Sequence, residues 1–558
     1  MMKTVLLATS MLLAAEAVHA QPAPAAAPAA DWPTWGYDAE RTAWNRGETT
    51  LSKANVGKLR VKWKTQLPVP VVDVVLSTTT APVVVAGVPT TQGPRDLVFI
   101  LGANDGLYAL DATTGAIVWS KDYPNPVKAT KIATWLCSNT TNATPTADKA
   151  RGILYFVPSD GKLRGVSLAD GSERMAPTEM VAPFARAWSL NLINDVVYTT
   201  SGRACGEITD PDSPMLAARL LDEPYDANAR PTDPSAVTAV DVRDLARPEV
   251  TRFYLSSGRP AAPWGRGGLA RGPGDTVLFE TSDGLFDPGA GSWADTLLQL
   301  APKATRVVDS FTPENYRYIA SKDLGGSASP TVFPFGDKMI VAYGQKEGVL
   351  RLLDARNLGG KAANKHAKPL WESPQLGNDL AAGTDPSQGI WGAITTALTP
   401  SGKRFLYVPM WGPASVKAPV FPVTGGLAPH GMIMAFEVVE KDGAISAEPR
   451  WTSGDMIMVD PPTVANGVLY ATSTGGQAMQ NPRLPDGTRV ANTTPLSIKN
   501  RSTPIDNLKL SAFDAETGKP LYSSKKLISD WVHFSEPVVA LGKVFLTTHD
   551  GHVYAFGL

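Results

Sequence analysis

The sequence predicts an all-β fold, an eight-bladed β-propeller whose ring is closed by the N-terminal strand joining the last blade. Three observations carry this. One phrase returns eight times from residue 97 onward. Gly and Pro are frequent, at 49 and 47 residues, which suits many short strands and turns better than long helices. The last copy also lacks an outer strand that the N-terminal region can supply.

The clearest copy is LVFILGANDGLYALDATTGAIVW, Leu97 to Trp119. An apolar strand is followed by the turn Asn104-Asp105-Gly106 and a second strand, Leu107 to Leu110. Asp111 and Thr114-Gly115 make the next turn, where Gly suits a positive φ. Trp119 then offers a large ring to bury between neighbouring sheets. Later copies start at Ile153, Val196, Thr276, Met339, Phe405, Gly467 and Lys543. Insertions near 203–235, 412–430 and 475–508 lack the strand pattern and read as loops. Lys58 to Trp63, KLRVKW, resembles the outer strand that the eighth copy lacks, and pairing there would hide sheet edges. Two stacked β-sandwiches are the alternative fold, but they leave that complementarity without a reason.

The chain has 558 residues, 43% hydrophobic and 19% charged, enough apolar content for a large core. Its formal net charge of −1 gives no electrostatic support for nucleic-acid binding. Six His in this length argue against a His-rich metal enzyme. There is no GxSxG elbow, HExxH, P-loop or GxGxxG between strand and helix.

Lys3, the apolar run Val5 to Ala15 and Val18-His19-Ala20 read as an export signal over residues 1–20, with an uncleaved anchor as the alternative. Residues 21–30 read as an extended Pro/Ala linker and 31–558 as the propeller. The expected location is periplasmic or secreted, with no membrane span in the mature chain. In such a compartment Cys137 and Cys205 are a disulfide candidate, which would stabilise by roughly 4 kcal/mol in the chain-entropy model. Two separately buried thiols are the alternative. No CxxCH is present, so no attached haem is expected.

The phrases ALDATTGAIVW and AFDAETG resemble the pyrroloquinoline quinone (PQQ) repeat of the quinoprotein alcohol dehydrogenase-like superfamily. So do the opening DWPTWGYDAERTAWN and the middle segments DSFTPENYRYIASKDLGGSASPTVFP and GVLRLLDARNLGG. The resemblance implies PQQ with Ca²⁺ or a lanthanide near the propeller axis, and an Asp as base towards an alcohol-type substrate. It assigns Lys346 (in Gln345-Lys346-Glu347-Gly348), Trp264 and Trp391 to the cofactor. Asp283 stands where the family has a metal-ligand Asn, and Glu207 is the displaced counterpart of its metal-ligand Glu. Asp295 is the carboxylate nearest to the catalytic Asp, out of register. Each has a plainer reading as turn or packing chemistry. The adjacent-cysteine disulfide of many family enzymes is missing, as is a second floor Trp near Ile457 to Pro461.

Arg259, Arg266 and Arg271 cluster around Trp264 in sequence and suggest an anion site, or a solvated loop with ion pairs. His533 is expected to line the channel. Two functions follow. The first is a PQQ-type oxidoreductase for a small-molecule substrate, using a separate electron acceptor. The second is a cofactor-free scaffold for a periplasmic protein partner or glycans, like the assembly lipoprotein that shares the repeat.

Overall fold

The computed structural model describes residues 31–71, 77–128, 140, 143–204, 235–255, 261–282, 284, 286–360, 368–378, 384–477, 479–481, 497–501 and 503–558. The signal, the linker, Cys137, Cys205, Glu207, Arg259 and Asp283 lie outside these residues.

Eight antiparallel sheets follow one another along the chain as blades. The first is Val83–Thr90, Gly93–Leu101, Gly106–Asp111 and Ile117–Asp122. The fifth is Thr331–Phe335, Lys338–Gly344, Leu350–Asp354 and Trp371–Glu372. The eighth is Val538–Ala540, Lys543–Thr547 and His552–Gly557, completed by Arg60–Gln66, which pairs antiparallel with His552–Gly557. The ring is therefore closed by the strand the sequence pointed to.

Burial follows position in the blade. Ala236–Asp241 and Val277–Ser282, in the middle of their sheets, are buried at every residue because a neighbouring blade covers each face. Outer strands such as Glu249–Tyr254 leave residues exposed. The core lies between successive blades. Leu107 and Ala109 of the first, for example, pack with Leu154, Phe156 and Val166 of the second. Outer-strand tryptophans lock these contacts. Trp63, Trp119 and Trp451 donate their indole N–H to the carbonyls of Ala112, Leu168 and Ala515 in the next blade, at 3.1, 3.1 and 3.2 Å. Gly115 (φ 75°) and Gly518 (φ 73°) lie under two of these rings, where a Cβ would stand 2.6 Å from ring carbon.

The insertions are not wholly loop. Val423–Thr424 adds a parallel strand beside Trp451–Thr452, and Ile498–Arg501 forms one helical turn. The edge of the outer strand of the sixth blade offers free backbone groups, and the insertion pairs with them.

Residues 31–46 thread through the channel. They hydrogen-bond the innermost strand of every blade in chain order, through Val84, Ala147, Asn191, Arg271, Val332, Thr396, Val464 and Val539. Arg41, fully buried, donates to the carbonyls of Leu269, Trp35 and Leu190 and to Thr34 Oγ1. The strand edges facing the axis are thereby paired by this plug.

Candidate functional site

The turns joining the second and third strands of each blade gather at the end of the axis away from the plug. Lys346 lies in that turn of the fifth blade. Its Nζ pairs with Asp323 Oδ1 at 2.6 Å and stands 5.7 Å from the ring of Trp391. Trp391, also buried, stacks on Trp411 at 4.6 Å with planes 8° apart, and Trp411 stacks in turn on Phe534 at 5.8 Å. Lys346 and Trp391 are thus brought together.

Asp295 is 1% exposed and precedes Leu297–Leu300 in a left-handed turn, φ 49°. Its carboxylate packs on Gly325, and the neighbouring Gly326 packs on Glu280. Glu280 is also 1% exposed; burial raises its pKa well above the ordinary value, opposed by Gln345 and Arg351 and reinforced by Asp295 and Glu347. The segment Asp323–Ser329 ties these groups together. Asp323 holds Lys346, Gly325 and Gly326 cover the two carboxyls, Ser327 donates to the Ile390 carbonyl, and Ser329 packs on Gly265.

Trp264 lies on the other side of Gly265, half-buried. The guanidinium of Arg186 covers it, 3.6 Å from the ring centroid, and Trp188 is 5.6 Å away. Arg266 lies 3.1 Å from the centroid of Phe534. Its partner in charge is Asp460, which accepts from the Ser535 N–H at 2.7 Å and whose pKa burial raises. His533 is buried beside them. Burial and the nearby His549, Arg266 and Arg501 push its pKa well below the ordinary value, so its imidazole is neutral at pH 7.

The arginine cluster read from the sequence divides here. Arg266, in a turn, lies on Phe534, whereas Arg271, in the short strand Ala270–Arg271, is bound to Glu40 of the plug. Sequence reasoning did not find Arg186, Glu280, Asp323, Asp460 or Glu536. Glu280 carried a signal: it is a lone carboxylate within the apolar run Val277–Ser282. Among the described residues no three His, Cys, Asp or Glu side chains are grouped to hold a metal, and of the implied acidic groups only Asp295 is among them. The described residues do suit a planar anion, with Arg186 and Arg266 beside aromatic rings. A separate cavity of about 390 Å³, lined by Lys162, Glu179, Arg252 and Tyr254 among others, touches none of these groups.

The closed ring of eight blades, locked by repeated Trp contacts, is an eight-bladed β-propeller. Residues 41–203 match the sequence family described as outer membrane protein assembly factor BamB. No curated protein matches the sequence. Among solved structures, a europium-containing methanol dehydrogenase is similar at a TM-score of 0.61 and 13% identity, over 95% of this chain and 98% of that one. A quinohemoprotein alcohol dehydrogenase from Comamonas testosteroni is similar at 0.57 and 15%, over 95% and 81%. These likenesses show a shared eight-bladed propeller fold, with the sequence match confined to residues 41–203.

Proposed function

We propose that the chain is an exported propeller that binds a planar, anionic ligand of the pyrroloquinoline quinone class at the axial site opposite the plug. The observation that carries this is the placement of Arg186 and Arg266 against Trp264, Trp188 and Phe534. Two guanidiniums among aromatic faces favour a flat molecule bearing carboxylates. Export rests on the pattern of residues 1–20. Titration with pyrroloquinoline quinone, with and without Ca²⁺ or La³⁺, tests the reading through quinone absorbance and tryptophan fluorescence. Saturable binding that weakens about tenfold in Arg186→Gln supports it. No saturable binding leaves the scaffold role, to be pursued through periplasmic partners or glycans.

A second reading, alcohol oxidation, is favoured by the burial of Lys346 beside Trp391, with Asp295 as base. It requires metal-dependent dye reduction with alcohols, abolished in Asp295→Asn while quinone binding persists. No chemical step is assigned to it, since the residues implied as metal ligands are not among those described.

A further inference from the structure

The connection 412–430 of the sixth blade carries the most exposed aliphatic side chains of the described residues. Val416, Val420 and Leu427 are 87%, 89% and 95% exposed, and Val423 is 49% exposed. The base of the connection is fixed. Ala414 bridges to Gly377, the Ser415 N–H donates to the Leu376 carbonyl, Phe421 packs on Phe436 at 5.3 Å, and Val423–Thr424 pairs with Trp451–Thr452. Pro413, Pro419, Pro422 and Pro429 restrict the remainder. The apolar side chains therefore project from a held loop. Lys417 and His430 are its only titratable residues, and His430 is bonded to Asp455 at 2.7 Å. Lys417 is thus a lone cation between two exposed valines, with no acid within the connection itself.

We propose that this connection is a membrane-docking element, seating Val416, Val420 and Leu427 in the interfacial layer of an anionic bilayer with Lys417 at the headgroups. Near-complete exposure means that each tip projects separately, which suits insertion between lipids. A protein partner instead needs a contiguous surface of about 800 Å² on each side. The lone lysine matches anionic headgroups and is not offset by a neighbouring acid in the loop. A few short aliphatic tips give weak, reversible binding, of the order of one acyl chain or less. The connection begins at Trp411, which stacks on Trp391, so docking would turn the axial site towards the membrane. The inference is independent of the ligand proposed above.

The test is flotation of the exported, processed chain with vesicles of phosphatidylcholine alone and of phosphatidylcholine mixed with phosphatidylglycerol. The expected result is partition onto the mixed vesicles, weakened by salt, and reduced about tenfold in Val416→Asp/Val420→Asp/Leu427→Asp. Lys417→Glu should remove the preference for the anionic vesicles. Leu427→Ser, at a 95% exposed position, should give a smaller loss with an unchanged melting temperature. Absence of wild-type flotation, or equal flotation of the triple variant, overturns the proposal. So does a wild-type dimer, seen by light scattering, that the triple variant converts to monomer, because the surface then belongs to a second copy.

Discussion

At one end of the axis, residues 31–46 lie along eight strand edges and bond to each of them. At the other end lie buried ionisable groups, Glu280, Asp295, Arg266 and Asp460. The plug combines main-chain bonds with a few buried side chains, Arg41 and Asn45 among them. The opposite end is built from ionisable side chains, each costly to bury and each dependent on its neighbours. The first arrangement supplies rigidity, and the second supplies a site that can respond to a ligand.

The comparison can be broken most drastically at the seam. Deleting residues through Gln66 removes both the plug and the outer strand of the eighth blade, so cooperative folding should be lost, seen as aggregation and a missing thermal transition. Next in size, Arg41→Met leaves the carbonyls of Leu269, Trp35 and Leu190 without their buried donor. A loss of about 3 kcal/mol is expected in denaturant unfolding.

A third change tests where plug and site meet. Glu536 accepts from Trp32 Nε1 at 3.1 Å and from the Gly36 N–H at 2.8 Å, and burial pushes its pKa up to about 8. The unfolded carboxyl titrates near its ordinary value, about 4.3. Between those two values the folded state holds the extra proton, so its contribution to stability is complete at low pH and is lost as pH rises towards 8. Glu536→Gln should keep both hydrogen bonds and flatten that dependence. The gain over wild type should therefore be larger at pH 8 than at pH 5, worth about 1.4 kcal/mol for each tenfold change in the ionisation equilibrium. Smallest of all, Lys441→Ala removes a surface pair with Glu448 on the sixth blade, far from either end, and should change stability by less than about 0.5 kcal/mol.

The blades were legible because each repeat states its own strands and turns, as Leu97 to Trp119 does, and because KLRVKW carries the Trp that its neighbours carry. The plug was not legible as such. DWPTWGYDAERTAWN contains no strand period, and its partners are one or two residues from each of eight blades. Lys346, named from the local turn Gln345-Lys346-Glu347-Gly348, and Trp391 come together in the structure. Arg186 against Trp264, or Asp460 against Arg266, joins different blades, and no local pattern reports such a contact. The split of Arg266 from Arg271 has the same origin, since the turn at Arg266 and the short strand Ala270–Arg271 meet different partners.

The threading of the plug also sets a timetable. Trp32 bonds Glu536, 504 residues further on, and Asn45 bonds Val539, 494 further on. The plug therefore finds its last partners only after the eighth blade has been synthesised. Contacts of such sequence separation make folding slow, and early blades must wait with an open channel and an unpaired seam. Closure of the ring is thus a late event that joins the two ends of the described chain in one step.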